Sequence, residues 1–188
     1  MIGAPGSGKG TQSGKLADRL ELTHISSGDL LRRHIRDGTA IGQAAAAYVD
    51  RGDLVPDALV RDMLRKPVVA ADQTGGYILD GFPRTVEQAE TAYETARELG
   101  VSVQVAIYLD VPTEELLRRL LSRARGSEDT EAVISHRLQV FHEHTLPMLH
   151  YYQDREQVLI TDGARPPEQV TASLLTGLEP WRPDGSSG

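Results

Sequence analysis

The 188-residue chain contains no cysteine. Disulfides and any thiolate-bound zinc are therefore excluded. No apolar run approaches the roughly 20 residues that a membrane-spanning helix requires. No leader-like segment precedes the first motif, so a cytoplasmic protein with no membrane partner is expected. Basic charge is also in short supply. The net charge of −7 argues against a general nucleic-acid binder, which needs a basic face. Lysine is scarcer still, at Lys9, Lys15 and Lys66 only, whereas arginine is plentiful. Arginine grips phosphate bidentately, although biased composition accounts for most surface copies. There is no internal repeat and no low-complexity segment. The length suits one α/β domain with a proper core.

What is present is concentrated at the start. Gly3-Ala4-Pro5-Gly6-Ser7-Gly8-Lys9-Gly10-Thr11-Gln12 fits the template G-x-x-x-x-G-K through Gly3, Gly8 and Lys9. Gly10 stands between Lys9 and the hydroxyl of Thr11. The glycines let successive backbone N–H groups turn onto one anion, an approach that a Cβ would obstruct. A helix over 9–20 follows, and its N-terminus also favours phosphate. Lys9 reaches for β- and γ-phosphates, and Thr11 offers a hydroxyl near a metal. A glycine-rich turn that binds nothing would not need these residue types at these offsets.

The rest of the chain alternates strands and helices. Residues 22–26 read as a strand. Ser27 or Asp29 caps the next helix, which Gly38-Thr39 breaks. Further short helices lie around 44–47 and over 56–65, and three helices with no strand between them suggest an inserted flap. Strands are expected over 77–82, 101–110 and 158–161, and helices over 85–99, 112–123 and 167–178. A long helix over 130–153 should kink or split at Pro147. The pattern gives an α/β fold, a doubly wound parallel sheet of about five strands with helices on both faces. Ligands in such sheets sit at the carboxyl ends of the strands, which gathers 3–9, 80–84, Asp110 and Asp162-Gly163 around one crevice. The tail over 179–188 reads as disordered.

Four stretches together resemble the adenylate kinase family: residues 3–12, Ser27-Gly28-Asp29-Leu30-Leu31-Arg32, Asp53-Leu54-Val55-Pro56 and Asp80-Gly81-Phe82-Pro83-Arg84. Gln88, Arg119, Arg123, Arg125 and Arg137 stand at matching spacing, and the likeness runs to about residue 178. The resemblance implies a nucleoside monophosphate kinase of the short-lid type. It is a single P-loop kinase domain over 1–178, with a nucleoside monophosphate-binding insert over 26–55 and a lid over 123–131. It implies reversible phosphoryl transfer from Mg-ATP to AMP, giving two ADP and so balancing adenine nucleotides. The cofactor would be Mg2+ and not zinc; the partners would be ATP, AMP and ADP; and the chain would act as a monomer. Two flaps would close over the substrates and keep water from taking the phosphoryl group.

By this resemblance Gly6, Ser7, Gly8, Lys9, Gly10 and Thr11 hold ATP, with Arg119 and Arg165 beside it. Ser27, Arg32, Asp53, Leu54, Val55, Gly81, Phe82, Pro83, Arg84, Gln88, Arg125 and Arg137 hold AMP. Lys9, Asp80, Arg84, Arg119, Arg123, Arg125 and Arg137 serve the transfer. No side chain binds Mg2+ directly; Thr11 and Asp80 lie in its water shell. The chemistry suits these residues, because phosphoryl transfer needs positioning and charge neutralisation more than a protein nucleophile. An acceptor phosphate is already ionised, so no general base is needed. Gln88 carries both an amide donor and an acceptor and can pair with the edge of adenine. Ser27 stands where the family usually has Thr, keeping the hydroxyl and losing a methyl. Alternatives are a UMP or CMP kinase, an inactive nucleotide-binding relative, or a hydrolysing switch. The six histidines fit no metal spacing and are expected at the surface. One departure concerns the first strand. Family members place several apolar residues before Gly3, and here Met1-Ile2 stand alone, so either the sequence starts downstream of the natural start or the middle of the sheet is thinned.

Overall fold

Among the described residues there are five strands, each parallel to its ladder neighbours: β1 (Ile2–Gly3), β2 (Thr23–Ser26), β3 (Tyr77–Asp80), β4 (Ala106–Asp110) and β5 (Val158–Asp162). The computed structural model describes residues 1–123, 130–155 and 158–181, with Arg123 through its backbone. Among the described residues the strands form two ladders, β1-β4-β5 and β2-β3. Ile2 lies opposite Tyr108, Ser26 opposite Asp80, and Asp110 opposite Asp162. The ladders meet where the nitrogen of Met1 donates to the Leu79 carbonyl at 2.7 Å. Among the described residues no ladder joins β1 to β3.

Strand periodicity decides what covers each face. Side chains alternate along β4, so Ala106 and Tyr108 enter one apolar cluster and Ile107 and Leu109 the opposite one. The first cluster is closed by α5 (Val86–Leu99), α6 (Thr113–Arg123), α7 (Glu131–Val140) and α8 (Leu146–Gln153), through Ala89, Leu120, Ile134 and Met148. The second is closed by α1 (Lys9–Leu20) and α9 (Pro167–Gly177), through Leu16, Val170 and Leu174. The third cluster lies beneath α2 (Ser27–Arg36), α3 (Ala40–Arg51) and α4 (Asp57–Asp72), where Leu31, Ala45, Val60 and Met63 pack with Phe82. Helices on both faces of a parallel sheet are what the alternating pattern predicts.

Several boundaries differ from the sequence reading. β4 starts at Ala106 rather than at 101, because the described part of β5 begins opposite Ala106 and β1 reaches only Tyr108 and Leu109. β3 ends at Asp80, opposite the last residue of β2, and Gly81 at φ +80° takes the chain out of the extended state. α2 is capped by Ser26, whose side chain accepts from the Asp29 N–H, and not by Ser27 or Asp29. α4 does not stop at residue 65 but runs through Pro67. Its buried face continues past that proline from Val60, Met63 and Leu64 to Ala71, and this burial outweighs one lost backbone bond. The expected split near Pro147 occurs as a π-helical segment, Phe141–Thr145, which lets α8 begin with Pro147 in its first turn. The first residues of the expected tail are ordered. Glu179–Trp181 form a 3-10 turn, and Trp181 packs against the cluster that contains Leu174. Residues 182–188 lie outside the described residues.

Candidate active site

The turn from β1 into α1 forms the floor of a crevice of about 950 Å³. Ser7 N–H donates to the Ala4 carbonyl at 3.1 Å, and Lys9 Nζ to the same carbonyl at 3.0 Å, so the lysine folds back over its own loop. Gly8, at φ +93°, sits just before α1 and turns the chain so that the helix N-terminus faces the crevice. At Gly6, at φ +85°, an added Cβ would lie 2.9 Å from Leu120 Cγ and 3.1 Å from the Leu116 carbonyl. The loop therefore rests tightly on α6. Thr11 lies in the first turn of α1 and lines the same crevice.

Asp80 closes β3 at 7% exposure, with His24 Nε2 3.7 Å from its carboxylate. Burial alone would raise its carboxyl; His24, Lys9 and the amino group of Met1 outweigh that and hold it below the usual carboxylate range. It faces the first turn of α1, since a Cβ on Gly10 would lie 3.5 Å from its Oδ2. Arg84 is enclosed nearby and donates from Nε to the Gly81 carbonyl at 2.8 Å. Burial pushes its guanidinium below the ordinary arginine value, Asp80 counters that, and Arg32 adds to it. Arg32 pairs with Asp29 at 2.5 Å.

The remaining predicted cations divide. Arg119 lines the crevice but spends its donors on protein oxygens. It reaches the carbonyls of Gly163 (3.0 Å), Ala164 (3.3 Å) and Ser7 (3.4 Å), and Glu115 at 2.6 Å. It thus ties the turn after β5 to the phosphate loop. Arg165 lines the crevice and pairs with Asp162 at 3.1 Å. The side chain of Arg123, all of Arg125 and most of the expected lid over 123–131 lie outside the described residues. Asp110 does not line the crevice; its carbonyl accepts from Gly163 N–H at 2.7 Å and so sets the turn after β5.

A narrower pocket opens from the crevice under the inserted helices. Ser27, Arg32, Asp53, Leu54, Val55, Gly81, Phe82, Arg84, Gln88 and Arg137 line it, as the sequence suggested. Pro83 does not; it faces a neighbouring hollow beside Gly3 and Phe141. Arg32, Arg84 and Arg137 line both the pocket and the crevice. Ser27 Oγ is 2% exposed and has no hydrogen-bond partner among the described residues. Gln88, 4% exposed, is held at both ends of its amide. Its Oε1 accepts from Arg84 N–H at 2.7 Å, and its Nε2 donates to Asp57 at 2.5 Å.

Sequence reasoning missed Asp57 and the apolar wall of Leu31, Val49 and Val60. The only signal for Asp57 was its place directly after the Asp53–Pro56 stretch. Two histidines expected at the surface also have partners. His24 stands against Asp80, and His136 Nε2 lies 2.7 Å from Asp53, joining α7 to the inserted helices. Asp53 is held below the usual carboxylate range by that hydrogen bond and by Arg51.

A glycine loop at a helix N-terminus, opening on a crevice and a second pocket that share three arginines, is the arrangement of a P-loop nucleotide kinase. Similarity to known proteins points the same way. The family model described as "Adenylate kinase" matches residues 1–157. The chain is 43% identical to the adenylate kinase of Thermobifida fusca (strain YX), over 95% of this chain and 96% of that one. It is 43% identical to adenylate kinase 1 of Nostoc sp. (strain PCC 7120 / SAG 25.82 / UTEX 2576), over 95% and 96%. It is 41% identical to the adenylate kinase of Kocuria rhizophila, over 95% and 97%. The chain belongs to the adenylate kinase family.

Proposed function

We propose that the protein transfers the terminal phosphoryl group of Mg-ATP reversibly to AMP, giving two ADP. The observation that carries this reading is the sharing of Arg32, Arg84 and Arg137 between the crevice and the narrow pocket. A donor triphosphate on the loop and an acceptor monophosphate in the pocket would meet at these guanidiniums. Two anions repel, so their approach needs cations that belong to both. Lys9 and the amides of the loop hold the donor end, and Arg32 and Arg84 hold the acceptor phosphate. Ser27 and Gln88 face the base. The acceptor oxygen is already ionised, so positioning and charge neutralisation suffice.

The residues present fit Mg2+. One hydroxyl, Thr11, and one buried carboxylate, Asp80, border the crevice, and the described residues hold no cluster of three or more carboxylate or imidazole ligands. That donor set suits an ion that keeps water and phosphate oxygens as ligands. Thr11 and Asp80 would hold it through its waters, and it would supply positive charge beside the donor phosphates. Arg123 and Arg125 are proposed to close over the transferring group, and Arg119 and Arg165 to border the donor. Action as a monomer in the cytoplasm is part of the proposal.

A coupled assay with Mg-ATP and a panel of monophosphates tests the proposal. AMP should be the preferred acceptor. Equal turnover of UMP or CMP would overturn the substrate assignment, and ADP formation independent of any acceptor would overturn the kinase reading.

A further inference from the structure

A glutamine amide offers two N–H donors and two acceptor lone pairs, and its meaning to a ligand depends on which way it faces. At Gln88 two neighbours with fixed chemistry decide this. The backbone N–H of Arg84, 2.7 Å from Oε1, can only donate. The carboxylate of Asp57, 2.5 Å from Nε2, can only accept. A flipped amide would set its NH2 against the Arg84 N–H and its oxygen against the carboxylate. Both contacts would be repulsive, within a side chain only 4% exposed.

We propose that Asp57 is a specificity-determining positioning residue: it locks the Gln88 amide in one orientation, so that the acceptor pocket takes 6-amino purines and rejects 6-oxo purines. This rests on the reading of the pocket as the AMP site. One N–H and one lone pair of Gln88 remain for the ligand. A 6-aminopurine edge presents an amine donor followed by the N1 acceptor and can meet both. A 6-oxopurine presents an acceptor followed by an N–H and meets like with like. Asp57 does not line the pocket, so it acts through Gln88. It comes from the first residue of α4, whereas Gln88 comes from the first turn of α5. The selectivity therefore depends on how the inserted helices seat against the sheet.

AMP and IMP differ at this edge alone and serve as probes. Asp57→Asn can turn either its carbonyl oxygen or its N–H toward Gln88 and so tolerate either amide orientation; it should lower the AMP-to-IMP ratio of kcat/KM by about tenfold or more, the scale of one lost base contact. The change should appear in the acceptor KM and leave the ATP KM in place. Asp57→Ala should act likewise, and Asp57→Glu should restore part of the ratio. A purely structural role would lower AMP and IMP turnover together; an unchanged ratio in the Asn and Ala variants overturns the proposal. On the unmodified protein, the Gln88 side-chain amide proton bonded to Asp57 should be protected from solvent exchange by NMR, and exchange as fast as that of a free amide would overturn it without any variant. A parent enzyme that does not prefer AMP to IMP would overturn the AMP reading and this inference together. A parent that prefers AMP, with variants that do so equally, would sink the role of Asp57 alone.

Discussion

Arg84 keeps its charge in an enclosed place, with Asp80 beside it and Arg32 opposing it. Such a cation is useful only where an anion arrives. Arg84→Ala should lower kcat by about 10²-fold to 10³-fold, the range for removing one donor from a developing negative charge, while the melting temperature changes little. Steady-state kinetics with a melting curve checks both; an unchanged kcat would remove Arg84 from the site. Glu115 makes a different case. Hydrogen bonds from Arg118 and Arg119 hold its carboxyl at about 2, below an ordinary value of 4.5. A depressed carboxyl stabilises the fold above its unfolded value, and that contribution disappears as pH falls through its folded value. The melting temperature of the parent should therefore fall between pH 4.5 and about 2, and that of Glu115→Gln should fall less over the same window. The pair is exposed enough to solvent for salt to weaken the difference. Parallel slopes for the two proteins would dismiss Glu115 as a contributor.

At the scale of elements, the inserted helices pack tightly against α7 at Gly52. This residue ends α3 at φ +78°, and an added Cβ would lie 2.7 Å from Arg137 Cγ. Gly52→Ala should cost about 1 kcal/mol or more in stability from the left-handed backbone alone, and should raise the AMP KM by displacing Arg137. Denaturant melts and acceptor kinetics test this, and an unchanged KM would separate Arg137 from acceptor binding. The elements themselves were legible where a local signal had no tertiary competitor. Thr85 before α5 and Gly100 after it cap that helix as its sequence suggests, and Pro147 marks the change between α7 and α8. The signal failed where pairing or packing decided. Apolar residues before Ala106 look like strand but have no described partner strand, and Pro67 looks like a stop but lies under a continuous buried face. The phosphate loop and the Asp80–Arg84 stretch were legible because their residue types are fixed by chemistry at fixed spacing. Asp57, His24 and His136 were not, since each acquires meaning only from a partner distant in sequence.

The whole molecule carries a net charge of −7, yet Lys9, Arg32, Arg84, Arg118, Arg119, Arg137 and Arg165 line one crevice. An acidic body with a basic mouth should attract nucleotides over a range set by ionic strength. The KM values for ATP and AMP should both rise between low and physiological salt, where the screening length shrinks to about 8 Å. Salt-independent KM values would mean that only direct contacts matter. The two-piece sheet has its own consequence. The phosphate loop hangs from β1, and Asp80 and Arg84 stand at and just beyond the end of β3. These strands belong to different ladders, and the one described backbone bond across their boundary is the one to Leu79. The loop and the Asp80–Arg84 stretch thus hang on different ladders among the described residues. A small shear between those ladders would change the spacing of Lys9 and Arg84 while leaving the residues around each in place.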